Sequence, residues 1–279
     1  MSKNKIIALI ILLFLLFIIM FFGIKQIWSS VGIDWKETFY PAARAMLNGE
    51  SPYTIPTFRN APWTIFFLMP FALFSETTGG ILFFIASIII YAWVAYRLGA
   101  NRLTLIIFLL SPPVVYGMRM LNVDIFVLIG FVLPAQIGLF FILIKPQMGI
   151  VMIPFWLLKT YKQGGIKKIA STFLPVVAAL GISFLLFGNW LSGRQADLYD
   201  SFWNASLWPW AVPIGIVLTS LSLRDLRQDF AMAASPFLSP YLAYHSWVSI
   251  LAGLIKHQFE FVITVISMWL VAVIIALGF

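Results

Sequence analysis

The sequence predicts an all-α membrane protein, a single transmembrane domain over residues 1–279 with roughly eight to eleven membrane-spanning or broken helices. Hydrophobic residues make up 62% of the 279 residues and charged residues only 10%, and the mean hydropathy is +0.98. Soluble domains carry about 25% charged residues. Several apolar runs contain an internal proline, which breaks a helix. Since broken helices in membranes need protein or water to satisfy their free backbone groups, we expect these segments to surround a cavity.

The first apolar run, Ile6–Gly23, follows a short basic N-terminus and is about as long as a membrane is thick. The residues after it show no small-residue cleavage pattern. We interpret it as a retained signal anchor with the N-terminus in the cytoplasm. Further apolar runs lie at about 63–75, 80–96, 103–117, 122–144, 148–158, 169–187, 210–223, 230–255 and 260–278.

The basic residues are concentrated in short loops between apolar runs. Because Lys and Arg favour cytoplasmic loops, we place three groups there, at 159–168, 224–227 and 256–257. Two polar segments then face the other side: a first extracytoplasmic loop over 24–62 and a second large one over 188–209. The net charge of +8 fits this pattern and anionic lipid, so we expect membrane lipids and no nucleic acid as partners. We expect the membrane to be a bacterial plasma membrane.

Two arginines conflict with this orientation. If 63–75 and 80–96 both cross the membrane, Arg97 and Arg102 lie outside, against the positive-inside rule. Either one of the two runs does not cross, or the arginines have a role near the outer surface.

The first outer loop contains a short helical pattern, Trp35–Leu47, with apolar and polar residues on different faces. Phe39 falls on the apolar face, and Lys36 and Arg44 fall on the polar one. This pattern is typical of a helix that lies on a membrane surface, and Gly49 should end it.

Asp34 directly precedes this helix, at the expected outer interface. A carboxylate beside an apolar wall can serve as a general base. The alternative is a solvated loop residue, or the N-cap of the helix, a position that Asp favours.

Lys145 ends an apolar run and precedes Pro146, which breaks the helix. A lysine at the bilayer centre costs about 2.5–3.5 kcal/mol, so it usually faces a cavity, an anion or a carboxylate. Alternatively its side chain snorkels to the head groups.

Further polar residues follow a double-proline helix break at 111–113. Arg119 could hold a phosphate and Asn122 a sugar hydroxyl, while Arg119 and Asp124 could equally form a structural ion pair. His245 lies in an apolar segment, where a hydrogen-bonded core histidine is more common than an acid or a ligand.

Metal and nucleotide sites find no support in the sequence. Cysteine is absent, which excludes disulfides, thiolate ligands and cysteine nucleophiles. No paired-histidine motif and no glycine-rich phosphate loop occurs. We therefore expect no metal and no cofactor.

A series of short motifs runs in a defined order over about residues 30–245: Asp34, Tyr40–Gly49, Ser51-Pro52-Tyr53, a helix led by Pro62, Ser111-Pro112-Pro113, Asn122-Val123-Asp124, Leu143–Gln147 and Ser239-Pro240-Tyr241. In this order they resemble glycosyltransferase family 87, which consists of polytopic GT-C-type enzymes that use polyprenyl-phosphate sugars. The chain departs from the family at Ala61-Pro62, where Pro-Pro is usual, and at Leu121-Asn122, where Gly-Gln is usual. It is also shorter than typical members.

The resemblance implies a GT-C-like fold and inverting transfer of a sugar from a polyprenyl-phosphate donor to a lipid or glycan acceptor on the extracytoplasmic side. Asp34 would match the family's general base and remove the proton of the acceptor hydroxyl. The donor and its leaving phosphate need cations and polar contacts, for which the candidates are Lys145, Gln147, Arg44, Arg59, Arg119, Asn122, Tyr53, Tyr241 and His245.

Two other functions are compatible with the same sequence. A transporter or flippase for a lipid-linked or small anionic substrate also needs broken helices and intramembrane charges, although no internal repeat is evident. A catalytically inactive structural relative is the other alternative, because the chain is short.

Overall fold

A computed structural model describes residues 31–191 and 201–276. Every regular element in these ranges is a helix, and the only strand-like contact there is an isolated bridge between Asn204 and Ala243. The predicted anchor Ile6–Gly23 and residues 192–200 of the second outer loop lie outside the described residues. The helices are α1 (Tyr40–Leu47), α2 (Thr64–Ala72), α3 (Glu76–Arg97), α4 (Arg102–Leu109), α5 (Pro112–Met120), α6 (Asp124–Val132), α7 (Ala135–Ile142), α8 (Pro146–Gly149), α9 (Met152–Phe187), α10 (Val212–Asp225), α11 (Gln228–Ala234), α12 (Val248–Leu254) and α13 (Gln258–Ala276).

Two of the described helices, α3 and α9, are long and apolar enough to cross a membrane. The pair α4 and α5, bent by 49° at its break, would make a third crossing. Helix α9 is itself interrupted, because Gly164 and Gly165 have non-helical backbone angles. The all-helical prediction is therefore confirmed for the described residues. The larger number of crossings stays a prediction.

Prolines explain why so many helices are short. Pro112 and Pro146 each occupy the first position of a helix, where a missing N–H group costs nothing. Pro134 lies directly before α7. The chain therefore folds into helices of seven to nine residues, each about 10–14 Å long, in place of full-length spans.

Two pairs of these short helices fold back on themselves. Helices α6 and α7 contact each other along a hairpin that turns at Leu133-Pro134, and α11 contacts α12. The open end of the first hairpin carries Asp124 and Lys145. A 3₁₀ turn, Tyr244–Trp247, lies between α11 and α12 in the chain. It is close to the open end of the first hairpin, because the Ser246 hydroxyl contacts both Asp124 and Lys145. Broken helices thereby bring polar side chains into the interior.

The first outer loop is helical where the sequence predicts it. A π-helical segment, Trp35–Phe39, leads directly into α1. Phe39 is buried and Lys36 and Arg44 are exposed, as the amphipathic pattern requires. Gly49 follows with φ of +80°, a left-handed conformation that ends the helix at little steric cost. The position of this helix on a membrane surface stays a prediction.

Trp35 fixes this segment to α3. Its indole N–H donates to the carbonyl of Glu76 at 2.8 Å, and the side chain is almost fully buried. Gly79 and Gly80 permit the approach, because a Cβ atom at either position would lie 3.1 Å from the indole ring. The residue next to Trp35 is Asp34, so this contact sets the position of the candidate base.

The two ends of α3 lie in different surroundings. Its first residue accepts the hydrogen bond from Trp35, whereas its last residue, Arg97, lines a cavity together with Arg227 and Lys256. Helix α2 has nine residues and is about 14 Å long, less than half the thickness of a bilayer core. Arg97 lies at the same end of the protein as Arg227 and Lys256, because the three residues line one cavity. The short α2 fits the alternative in which run 63–75 does not cross, and the orientation of this end stays a prediction.

Candidate functional site

A chain of hydrogen bonds connects the candidate base to the interior. The Asn122 amide donates to Asp34 Oδ2 at 2.5 Å, and Lys145 Nζ donates to Asn122 Oδ1 at 3.1 Å. Lys145 also forms an ion pair with Asp124. The other oxygen of Asp124 lies 2.5 Å from His245 Nδ1 and accepts from the Ser246 hydroxyl at 3.1 Å. We call these residues the interior polar cluster: Asp34, Asn122, Asp124, Lys145, His245 and Ser246.

Asp34 occupies the position before the first helical turn, but its side chain makes no cap hydrogen bond. The carboxylate instead accepts from Asn122, and the side chain is half-buried. The N-cap alternative is therefore not realised. Within the described residues Oδ1 has no hydrogen-bond donor, so the carboxylate keeps an acceptor for a substrate hydroxyl.

The backbone around Asn122 holds it against Asp34. Helix α5 ends at Leu121, which has φ of +55°, a left-handed conformation that costs a non-glycine residue about 1 kcal/mol or more. This sharp turn places Asn122 between α5 and α6. The backbone N–H of Gly32 donates to the carbonyl of Arg119 at 2.7 Å and ties the start of the outer loop to the same turn.

Lys145 is buried and its three ammonium protons are used within the chain. They donate to Asn122, Asp124 and Ser246. The expectation of a carboxylate partner is met by Asp124, which is fully buried. Snorkelling to a head-group region does not occur, because only 7% of Lys145 is exposed.

Asp124 has different ion-pair partners from the one that the sequence suggested. Its carboxylate pairs with Lys145 and His245 in a three-residue group, whereas the sequence had offered Arg119 as one possible partner. His245 is 4% exposed and its ring stacks on Tyr116 with the centroids 6.0 Å apart. The structure favours the alternative of a hydrogen-bonded core histidine.

Tyr241 lies beside the cluster, in the non-helical stretch before the 3₁₀ turn. Burial and the nearby carboxylates of Asp34 and Asp124 raise the pKa of its phenol, while Arg59 opposes this shift. The phenol is therefore protonated at neutral pH and can donate a hydrogen bond.

Arg44, Tyr53 and Gln147, three further predicted site residues, also lie outside this chain of hydrogen bonds. Arg44 is exposed, with a guanidinium nitrogen 3.5 Å from the carbonyl of Ala72. The Tyr53 hydroxyl donates to the carbonyl of Asn60 at 2.9 Å, and its ring stacks on Trp190. Gln147 lies half-buried on α8, two residues after Lys145.

Asn60 has a bracing role that the sequence did not reveal. Its side-chain amide donates to the carbonyl of Ile144 at 2.9 Å. The outer loop is thereby attached to the residue directly before Lys145. Tyr53, through its bond to Asn60, belongs to the same brace.

The sequence also gave no indication of the roles of Ser246 and Tyr91. Ser246 contacts both Lys145 and Asp124, but an isolated serine gives no sequence signal apart from its neighbour His245. Tyr91, on α3, is 1% exposed, and its hydroxyl has no hydrogen-bond partner among the described residues. That hydroxyl lies beside Gly117, where an added Cβ atom would be 2.9 Å from it and 3.4 Å from the Cβ of His245.

The donor set does not suit a metal ion. No group of three or more His, Cys, Asp or Glu side chains that could hold a metal occurs in residues 31–191 and 201–276. Two cavities are formed near the basic residues of the described structure, and neither is lined by Asp34 or Lys145.

Comparisons with known proteins found no match among family models, curated proteins or solved structures. The resemblance to glycosyltransferase family 87 therefore stays a prediction. Function has to be inferred from the chemistry of the interior polar cluster and from the motifs that contain it.

Proposed function

We propose that the chain is a membrane glycosyltransferase that moves a sugar from a polyprenyl-phosphate donor to a hydroxyl of a lipid or glycan acceptor. The observation that carries the proposal is the half-buried Asp34 carboxylate, held on one oxygen by Asn122, which is held in turn by the buried Lys145. Such a carboxylate is pre-oriented and keeps one oxygen for a proton. The donor class comes from the motif resemblance alone.

The proposed reaction is a single displacement with inversion. Asp34 takes the proton of the acceptor hydroxyl, and the oxygen forms a bond to the anomeric carbon. The bond between that carbon and the phosphate oxygen breaks, and its electron pair leaves with the lipid phosphate. General-base catalysis of this kind contributes about 100- to 10,000-fold to a rate.

Lys145 then acts as a positioning residue. Its three donors are already used by Asn122, Asp124 and Ser246, so it has none left for a phosphate. We assign the leaving phosphate to Arg59 and Arg119 as cations and to the Tyr241 phenol as a hydrogen-bond donor. Arg119 lies in the last turn of α5, next to the left-handed Leu121 that precedes Asn122. Charge-assisted contacts are the strong ones for a phosphate.

The proposed topology places the interior polar cluster toward the extracytoplasmic side. Helices α3 and α9 and the bent pair α4–α5 are long and apolar enough to cross the membrane. Arg97, Arg227 and Lys256 line one cavity, so a single assignment of that end to the cytoplasm satisfies the positive-inside rule for all three. Asp34 adjoins the other end of α3 through Trp35.

A transporter is the second candidate, and one observation favours it. The pair Asp124–Lys145 and His245 are buried at the ends of broken helices, an arrangement typical of substrate or proton sites in transporters. In that case the cluster itself would change its contacts during transport. The glycosyltransferase proposal instead keeps the buried pair fixed and uses Asp34 at its edge.

The test is a transfer assay with the full chain reconstituted in lipid vesicles and a panel of polyprenyl-phosphate sugars. Asp34→Asn should lower the rate by about 100- to 10,000-fold. The matched control is Glu37→Gln, an exposed carboxylate in the same helical segment, which should transfer sugar at the wild-type rate. Asn122→Ala should lower kcat by up to about 100-fold with little change in KM, since it misplaces the base and leaves the donor contacts intact.

Each outcome separates the candidates. Full activity of Asp34→Asn would remove Asp34 as the base. Wild-type vesicles that accumulate or flip the lipid-linked sugar without transferring it would show a transporter. A chain that neither transfers nor transports any donor of the panel, while retaining its fold, would show an inactive structural relative.

A further inference from the structure

A second polar site lies at the Arg97 end of α3. It is a cavity of about 490 Å³ formed between the ends of α3, α6, α11 and α12. The charged and titratable residues on its wall are Arg97, Arg227, Asp229, Lys256 and His257. We call it the basic cavity. Its volume falls in the range of small-molecule sites, about 300–1,000 Å³.

The cavity has an excess of positive charge that its own carboxylate does not neutralise. Asp229 is occupied by Arg227, with Nε at 3.2 Å from Oδ1, and by His257, with Nε2 at 3.1 Å from Oδ2. Among the described residues no carboxylate lies within ion-pair distance of Arg97 or Lys256. Three cations and one carboxylate therefore leave two positive charges, with His257 neutral.

Two of the cationic side chains, Arg227 and Lys256, are braced by neighbouring residues. The Arg227 guanidinium lies 3.9 Å from the centroid of the Phe230 ring. The stem of Lys256 lies against Gly99, where an added Cβ atom would be 3.1 Å from Cε. Gly99 has φ of +96°, so the close approach depends on glycine.

Apart from Gln228, whose side-chain amide donates to the carbonyl of Phe131 at 2.6 Å, the remainder of the wall is apolar, which distinguishes this cavity from a site for a free inorganic ion. Leu98, Phe131, Val132, Met232 and Ile255 line it. A ligand that fits both parts has a phosphate for the cations and a hydrocarbon portion for the apolar wall. Basic pockets between membrane helices on the cytoplasmic side bind lipid head groups in this way.

We propose that the basic cavity binds the phosphate of an anionic membrane lipid, with Arg97 and Lys256 as the principal cationic contacts. This site is separate from the interior polar cluster, and it does not depend on the sugar-transfer activity. The shared chemistry is a phosphate group, and the apolar wall favours a lipid over free phosphate as its source.

The test measures lipid binding to the purified full chain in neutral detergent by native mass spectrometry. The probes are a phosphatidylglycerol and a phosphatidylcholine with the same acyl chains. Each cation near a membrane surface contributes about 1 kcal/mol, so Arg97→Gln and Lys256→Gln should each weaken phosphatidylglycerol binding about fivefold, and the double variant about thirtyfold. Phosphatidylcholine binding should not change.

The matched control is Arg102→Gln. Arg102 is an exposed arginine five positions after Arg97 and does not line the cavity. Arg102→Gln and Arg97→Gln each remove one positive charge. Equal weakening of phosphatidylglycerol binding in the two variants would therefore overturn the proposal. Size-exclusion and thermal-melting profiles of each variant distinguish a lost contact from a lost fold.

Inorganic phosphate provides the second arm. If millimolar phosphate displaces phosphatidylglycerol from the wild-type chain, and this effect is lost in the variant with both Arg97→Gln and Lys256→Gln, the site belongs to free phosphate and has the same two contact residues. Wild-type phosphatidylglycerol binding by Asp34→Asn is expected, because Asp34 does not line this cavity. Lipid binding and sugar transfer are therefore measured independently, so either proposal can be contradicted while the other holds.

Discussion

The interior polar cluster and the basic cavity both contain cations beside a carboxylate, but they treat these charges differently. In the cluster, Asp124 is fully buried and Lys145 is 7% exposed, and every ammonium proton of Lys145 has an acceptor. In the cavity, Arg97 and Lys256 are exposed and have no carboxylate partner among the described residues. The cluster is organised for fixed geometry, whereas the cavity is organised to receive an anion.

The difference in burial decides what each charge contributes. A buried ion pair gives little net stability over an apolar pair, but removing one partner leaves an uncompensated buried charge. An exposed pair is screened by water and salt and contributes little. Substitutions in the cluster should therefore affect folding, and substitutions in the cavity should affect binding.

The largest effect is expected for Asp124→Asn. This change leaves the buried ammonium of Lys145 without a counter-ion, so we expect a loss of about 3–5 kcal/mol in the free energy of unfolding. Denaturant-induced unfolding in detergent micelles, followed by tryptophan fluorescence, measures it. The matched control is Asp225→Asn, which removes an exposed carboxylate that pairs with Arg224 and should produce no measurable change.

A double variant strengthens this test. If the cost comes from the uncompensated charge, Asp124→Asn combined with Lys145→Gln should recover part of the stability lost in the single variant. Equal destabilisation by Asp124→Asn and Asp225→Asn would contradict the contrast between buried and exposed pairs.

A smaller effect is expected at the contact that positions Asp34. In Gly79→Ala the new Cβ atom would lie 2.3 Å from the carbonyl oxygen of Phe71 and 3.1 Å from the Trp35 ring. Because the nearest atom belongs to the backbone, α2 or α3 must shift, and we expect a loss of about 1–3 kcal/mol. The same unfolding experiment measures this loss.

The matched control for this change lies in the second half of α9. Gly181 is helical, and no atom of the described residues lies within 4 Å of an added Cβ atom there. Gly181→Ala should therefore stabilise the protein by about 0.5–1 kcal/mol. A similar loss for both alanine variants would show that the contact with Trp35 does not matter.

Local features of the first outer loop could be predicted from the sequence. The helix over Trp35–Leu47 and its end near Gly49 follow from side-chain spacing and from the conformational freedom of glycine. The residues Asp34, Asn122 and Lys145 belong to three separate motifs of the series, and two hydrogen bonds join them in the structure.

The partners within the cluster could not be predicted, because they depend on how the broken helices fold back. Proline shows where a helix is interrupted but does not show which helix ends meet. Arg119, near Asp124 in sequence, was one possible partner for it, whereas the hairpin of α6 and α7 brings Lys145 to it. The apolar run 63–75 did not show whether it crosses the membrane, and the nine residues of α2 favour the alternative in which it does not.

The smallest effect on folding, and an opposite effect on binding, is expected for Asp229→Asn in the basic cavity. Burial favours a higher pKa for this carboxyl, but hydrogen bonds from Arg227 and His257 outweigh it, so the pKa lies below its usual value. The stabilisation by Asp229 is therefore fully present at neutral pH and is lost as the pH falls through the native pKa. Because Asp229 is partly exposed, its removal should cost less than about 1 kcal/mol.

The same Asp229→Asn change adds one net positive charge to the basic cavity, so phosphatidylglycerol should bind about fivefold more tightly, as measured by native mass spectrometry. Weaker binding in Asp229→Asn would mean that the carboxylate holds Arg227 in its binding position, and that geometry, more than charge, controls the basic cavity.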